Sequence, residues 1–341
     1  SATGNRDGGG EDGGALCSPD AADPCSLRKI RARGSVGSQR GSLATMQITP
    51  PFGRLITAMV TPFNKELEID WSGVEQLAAH LVATGHDGIV VNGTTGEAPT
   101  TSDEEKVEII KVVKKVVGPK IHVIAGAGNN ETSHSIIQGK EAERAGADGL
   151  LVVTPYYNKP PQSGVAAHFR AIADATNLPV MMYDIPHRTG IAIETGTILS
   201  LFEHPRIVAL KDAKGNVAET SWVIKRSGIP VYSGDDILNL PLLAVGAVGF
   251  VSVCGHTVGA RLREMIDSWF AGNSARALEI HQELLPVYTG TFRTQGAILT
   301  KAALTLMGLP GGKVRLPLVD ATTEQIAQLK RDLTDGRVKL A

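Results

Sequence analysis

Apolar positions along this chain gather in short runs, and a stretch with helical spacing follows each run. The runs are Thr57–Phe63, Gly88–Asn92, His122–Ala125, Gly149–Thr154, Pro179–Tyr183, Ile207–Lys211, Pro230–Ser233 and Gly249–Val253. They are continuous rather than alternating, as parallel strands covered on both faces should be. Their carboxyl ends recur every 19–33 residues, and each interval holds one strand and one covering helix. Eight such units predict an α/β chain of the (β/α)8 TIM-barrel type. A doubly wound open sheet is the rival, and eight near-regular units favour the barrel.

The helices between the runs carry their own signals. Asp103–Lys106 opens one behind Ser102, a candidate N-cap, with acids in the first turn. Glu141–Gly146 closes another on a glycine. Beyond the eighth run no strand signal recurs, and Ser274–Leu285, Gln295–Met307 and Thr323–Leu333 read as three helices. We therefore expect a barrel core over 46–256. Residues 257–341 then hold the last barrel helix and a C-terminal three-helix appendage, a surface suited to oligomer contacts. Residues 1–45 are rich in Gly, Ser, Asp and Arg, lack apolar periodicity and are expected to be disordered. Arg28, Lys29, Arg31, Arg33 and Arg40 stand there without an acid after Leu27. An organelle transit peptide has that look, as does a tag or sequence translated ahead of a start at Met46, and we expect the latter.

Composition narrows the class of function. The net charge is −1, so nothing points to nucleic acid. The three cysteines, Cys17, Cys25 and Cys254, make neither a disulfide framework nor a metal motif, which suits a reducing, cytoplasmic setting. The longest weakly polar run, Leu240–Gly255, is too short to span a bilayer and is broken by Pro241 and glycines. It reads as a helix end followed by a strand, and no membrane role is expected.

In a barrel of this kind the chemistry sits where strands end. The sixth run delivers Lys211 there. From that segment alone the lysine either snorkels into water or is desolvated into a nucleophilic amine. The second run ends in Gly93-Thr94-Thr95-Gly96-Glu97, whose glycines allow a sharp turn with exposed N–H groups for a carboxylate or phosphate. An ordinary capped turn would look the same. The fourth ends in Thr154-Pro155-Tyr156-Tyr157-Asn158, tyrosines that either relay protons or pack. The fifth ends in Tyr183-Asp184-Ile185-Pro186-His187-Arg188, where Arg188 either clamps a carboxylate or makes a surface ion pair. The seventh ends in Ser233-Gly234-Asp235-Asp236, which caps a helix if nothing more. Gly126-Ala127-Gly128 opens like a dinucleotide fingerprint, but Glu131 replaces its third glycine. His134, His168 and His256 lack ligand spacing, and no nucleophile elbow surrounds Ser163 or Ser252. We expect neither metal nor nucleotide cofactor.

Taken together, and in this order, the Gly93–Glu97, Thr154–Asn158 and Tyr183–Gly190 segments with Lys211 resemble the pyruvate-dependent class I aldolase family. The resemblance runs from about Ile48 to the C-terminus. It implies that Lys211 forms an imine with pyruvate, whose enamine adds to an aldehyde. Tyr183 matches the family's proton-shuttling tyrosine, and Thr94 and Tyr157 its relay partners. The residue matching Tyr157 acts in a neighbouring subunit's site, and a homotetramer is implied. Thr95 would hold the pyruvate carboxylate and Arg188 the carboxylate of aspartate semialdehyde, with Gly234 and Val251 bordering the pocket. Relatives that cleave sialic acid lack the arginine, because their second substrate is a neutral sugar. Arg188 therefore argues for an acidic aldehyde and against the alternatives, 2-keto-3-deoxy sugar acids or N-acetylneuraminate. A barrel that merely binds a keto acid would need neither the lysine nor the relay.

One departure stands out. Many relatives are inhibited by lysine through histidines after the Gly-Thr-Thr-Gly-Glu turn and a glutamate early in the third helix. This chain has Ala98, Pro99, Asp103 and Lys106 in the first place and His134 in the second. An ammonium ligand would lose its carboxylate and meet Lys106, so weak or absent inhibition is expected.

Overall fold

The structure, a computed structural model, describes residues 48–341. The segment expected to be disordered, with Cys17 and Cys25, lies outside the described residues. Eight strands form a single sheet: β1 (Leu55–Ala58), β2 (Gly88–Val91), β3 (His122–Gly126), β4 (Gly149–Val153), β5 (Val180–Asp184), β6 (Ile207–Asp212), β7 (Val231–Ser233) and β8 (Gly249–Ser252). Each pairs in parallel with the next in sequence, and β1 pairs with β8 through Ile56↔Val251, so the sheet closes. A closed sheet has no edge, which removes the doubly wound alternative.

Side chains alternate between two apolar layers, as the pleat requires. Ile56, Val90, Ile124, Leu151, Met181, Ala209, Tyr232 and Val251 fill the barrel, with Phe52 among them. Ile89, Val91, Val123, Leu150, Val152, Val180, Met182 and Leu210 pack outward against the helices. Burial on both faces is why the sequence showed continuous runs.

The first run was placed too late. Its strand is Leu55–Ala58 rather than Thr57–Phe63. The Asp87 carboxylate sets the entry, accepting from the N–H groups of Arg54 (2.7 Å) and Leu55 (2.9 Å). Beyond Ala58 the chain stays buried, and Met59 N–H still donates to the Val90 carbonyl (2.9 Å), but the Val60 N–H turns to His256 Nε2 (3.1 Å), Pro62 has no N–H to give, and Phe63 bridges instead to Ile69 and Lys313.

The covering helices are α1 (Trp71–Ala83), α2 (Asp103–Val117), α3 (Thr132–Arg144), α4 (Gln162–Asp174), α6 (Thr195–Phe202), α7 (Val217–Ser227), α8 (Asn239–Ala244) and α9 (Gly255–Phe270), with the one-turn α5 (Pro186–Thr189) inside the loop after β5. Ser102 caps α2 in a capping box with Glu105. The appendage holds α10 (Ser274–Thr291), α11 (Gly296–Leu306) and α12 (Thr323–Asp335). α10 runs past Leu285 and through Pro286, because Val287 and Tyr288 are buried and their packing outweighs one lost hydrogen bond.

The false dinucleotide fingerprint has a steric explanation. A Cβ on Gly126 would lie 2.2 Å from the Asn92 carbonyl oxygen, and one on Gly128 would lie 2.4 Å from the Val153 nitrogen. These glycines let β2, β3 and β4 converge at the mouth of the barrel. No phosphate is needed to account for them.

Candidate active site

Strand register decides which side chains face inward at the top of the barrel. Ala209, Lys211 and Ala213 alternate along one face of β6 and its exit, and Lys211 is paired with Tyr183 on β5 and Tyr232 on β7. Lys211 is 4% exposed. Its ammonium position lies 4.0 Å from the centre of the Tyr183 ring. Gly234 makes room for it, since a Cβ there would stand 2.8 Å from Lys211 Cε.

Lys301 is equally buried and the side chain of Lys214 is nearly so, and the contrast is informative. Lys301 is ion-paired to Glu97. Lys214 lies 3.2 Å from Asp184 and 2.9 Å from Glu219. Lys211 has no ion pair among the described residues. Burial therefore pulls its pKa down to about 7; Asp236 resists the shift and Arg188 adds to it. The amine that results is substantially neutral near pH 7 and has a free lone pair.

The surroundings are set by two buried networks. Asp236 ties the ends of β7 and β8 together. It accepts from Ser252 Oγ, from Asn239 Nδ2 (3.0 Å) and from the N–H groups of Val253 and Cys254 (both 2.9 Å). The ion pairs of Lys214 clamp the exit of β5 to the start of α7, beside the strands that carry Tyr183 and Lys211. Tyr183 is also buried, and burial raises its phenol well above the ordinary value, with Asp235 adding and Arg188 opposing. It stays protonated at neutral pH and is suited to give a proton rather than to take one.

One cavity of about 1240 Å³ gathers six of the eight expected site residues: Thr94, Thr95, Tyr157, Tyr183, Arg188 and Lys211 all line it. Gly234 and Val251 are not on its wall. Gly234 backs Lys211 from the protein side, and Val251 is buried in the barrel interior with Tyr183. The Gly93–Glu97 turn is bracketed by two left-handed residues, Asn92 (φ 57°) and Glu97 (φ 56°). Thr61 Oγ1 holds the Gly96 carbonyl at 2.8 Å, while the N–H groups of Thr94 and Thr95 donate to nothing among the described residues. Backbone donors left free in a turn are a ready anion cradle. Arg188, on α5, is exposed and pairs with no acid among the described residues, so the surface ion pair considered above is not formed. Tyr157 has φ 73° and is 87% exposed.

The same cavity extends to Asp103, Lys106 and His134. Asp103 accepts from His134 Nε2 (2.8 Å), Gln138 Nε2 (3.1 Å) and Lys106 Nζ (3.2 Å). Burial pushes this carboxyl up, but those hydrogen bonds, His134 first, outweigh it and leave it at about 2. Its charge is already answered from within the chain.

Two residues were not foreseen. Lys301 and Arg315, both from the C-terminal segment, grip the Gly93–Glu97 turn. A lysine in a helix whose other neighbours are apolar was the available signal for the first. A barrel presenting a desolvated lysine beside a tyrosine and an anion cradle defines the class of lyases that work through a lysine imine.

Comparison with known proteins agrees with that class. The dihydrodipicolinate synthetase family model matches residues 51–335. A 4-hydroxy-tetrahydrodipicolinate synthase of Streptomyces coelicolor is 60% identical over 290 residues, covering 85% of this chain and 97% of that protein. One of Acidothermus cellulolyticus is 57% identical over 283 residues, covering 83% and 92%. A dihydrodipicolinate synthase of Cyanidioschyzon merolae, solved with lysine bound, superposes with a TM-score of 0.83 at 45% identity, covering 85% of this chain and all of that one. The chain belongs to the dihydrodipicolinate synthetase family.

The state of Lys211 gives a prediction in two parts. The rate of imine formation with pyruvate, followed by mass after cyanoborohydride reduction, will climb about tenfold per pH unit below about 7 and level off above it. A climb continuing to pH 10 would show an ordinary lysine. Burial of the amine also costs stability, because the unfolded chain binds a proton that the folded chain does not between about 7 and 10.5. Lys211→Met will therefore be more stable than the parent at pH 7. The gap, read by thermal melts, will close as the pH rises towards 10.5.

Proposed function

We propose that the chain condenses pyruvate with aspartate semialdehyde to give 4-hydroxy-tetrahydrodipicolinate, through an imine on Lys211. The observation that carries this reading is that Lys211, unlike the buried Lys301, lacks a counter-ion among the described residues, and that it faces a cavity containing a free anion cradle. The names of its relatives support the same reaction.

The residues support each step. The neutral amine of Lys211 adds to the ketone of pyruvate, and water leaves to give a protonated imine. Tyr183 gives and recovers the protons, with Thr94 and a partner subunit's counterpart of Tyr157 completing the relay. The turn donors of Thr94 and Thr95 hold the pyruvate carboxylate. Loss of a methyl proton to the relay gives the enamine, since the iminium takes up the electron pair. The enamine carbon attacks the aldehyde, and the aldehyde oxygen takes a proton. The substrate's own amine then displaces Lys211 as the ring closes. Arg188 holds the semialdehyde carboxylate bidentately. Facing a neutral polyol, that guanidinium would stay unpaired, which disfavours the sugar-aldolase alternatives.

The assembly we infer is a homotetramer in the cytoplasm. An exposed tyrosine in a left-handed conformation is costly in a lone subunit and is accounted for if it enters a neighbour's site. Among the described residues no helix is long and apolar enough to cross a membrane.

Three outcomes test this reading. Purified protein will consume pyruvate when aspartate semialdehyde is added, and Arg188→Ala will lose roughly 100-fold or more in kcat/KM for the semialdehyde while borohydride still traps pyruvate on Lys211. Trapping without consumption would mean that the second substrate is a different aldehyde. Mixing inactive Tyr157→Phe with inactive Lys211→Ala under conditions that exchange subunits will restore partial activity; no recovery would place the relay within one chain. Because Asp103 is already satisfied by His134, Lys106 and Gln138, lysine at about 1 mM will leave the rate within about twofold, and inhibition below that concentration would refute the insensitivity.

A further inference from the structure

The contact between the C-terminal segment and the Gly93–Glu97 turn goes beyond packing. α11 is buried on nearly every side, from Gly296 through Lys301 to Leu304. A charged residue in such a helix needs a partner. Lys301, 2% exposed, donates to the Glu97 carboxylate and to the Lys313 carbonyl (2.5 Å), and lies 4.3 Å from the centre of the Phe63 ring. The second Glu97 oxygen accepts from the Arg315 N–H at 2.9 Å. Arg315 in turn stacks on the other atoms of the same corner: it lies 4.1 Å from the Phe63 ring centre and donates to the Thr100 carbonyl (2.7 Å) and to both oxygens of Glu105 (2.7 and 2.8 Å).

Glu97 thus plugs the end of the turn into the C-terminal segment, with both carboxylate oxygens engaged. Its left-handed φ is a conformation that glutamate rarely adopts, whereas Asn92, at the other end, is of a type that tolerates it. A turn that ends on a glutamate in this conformation keeps its shape only if something holds that end. Burial pulls the Lys301 ammonium down to about 8 while Glu97 holds it up, so Lys301 keeps most of its charge at neutral pH.

We propose that Lys301 is a positioning residue for the keto-acid substrate: by holding Glu97, it keeps the Gly93–Glu97 turn in the shape that presents the Thr94 and Thr95 N–H groups to the substrate carboxylate. The inference rests on the reading of that turn as the carboxylate cradle. It assigns the C-terminal helices a part in substrate affinity in addition to assembly.

The test is borohydride trapping of pyruvate on the full-length protein, which needs no second substrate. Three variants are compared: Lys301→Met, Glu97→Gln, and the double variant, which leaves no lone buried charge and so protects the fold. Any one that keeps a native circular-dichroism spectrum decides the matter. Half-saturating pyruvate will rise roughly tenfold or more, while the plateau labelling rate, set by Lys211, stays within about twofold. Arg293→Met is the structural comparator, because it breaks an ion pair between Arg293 and Asp332 that lies wholly in the appendage. It will lower the melting temperature and leave half-saturation unchanged. Unchanged half-saturation in a folded Lys301 or Glu97 variant overturns the inference while the cradle reading stands. A parent protein that pyruvate does not label at all overturns the cradle reading, and the inference with it.

Discussion

An ammonium group denied both water and a carboxylate is the constraint around which this molecule is arranged. Taking a charge out of water costs several kcal/mol even after the protein relaxes. The chain meets that cost for Lys301 and Lys214 by pairing them. For Lys211 it weakens the hold on the proton instead, so that the charge is lost as the pH rises through about 7. The closed barrel makes this possible, because β5, β6 and β7 surround the lysine with Tyr183, Tyr232 and the small neighbours Ala209 and Ala213. Gly234 leaves the last space that the four-carbon stem needs. What the fold gains is an amine that gives up its proton readily near pH 7, at the expense of stability.

The charges around that lysine form a graded set. Asp236 is anchored by four hydrogen bonds, so its carboxylate cannot swing in to form a direct ion pair. It acts at a distance, holding Lys211 from falling further. A cationic imine forming at Lys211 would feel the same attraction. Arg188 works in the opposite sense on both Lys211 and Tyr183. A carboxylate arriving at Arg188 would cancel that repulsion, so an acidic second substrate suits the chemistry electrostatically as well as sterically.

The barrel was legible in the sequence because it rests on local signals. Each βα unit carries its own apolar run and its own helix start, as Ser102 and Glu105 show, and eight repeats leave few topologies open. The first strand was misplaced because burial and strand pairing diverge there. Met59–Phe63 is buried outside the ladder, with Phe63 against Lys301, Lys313 and Arg315 of the C-terminal segment, and apolarity alone cannot tell a covered loop from a ladder. The same ambiguity hid the end of α10, where tertiary packing carries the helix through Pro286.

Strand ends pointed to the candidate site, and six of the eight residues expected there line one cavity, whereas its dependence on distant contacts could not be read. Lys211, Tyr183 and the Gly93–Glu97 turn each close an apolar run, so position made them candidates and the set taken together singled them out. Glu97 and Lys301 are 204 residues apart. Nothing local to either one names the other, and Glu97 reads as the polar end of a turn while Lys301 reads as a helix former. Only the fold shows that the carboxylate is buried, that the lysine is its partner, and that the turn ending on Glu97 lines the same cavity as Lys211. Residues that touch the reacting atoms can be guessed from type and place, whereas those that hold them in register act through packing and are visible only once the packing is known.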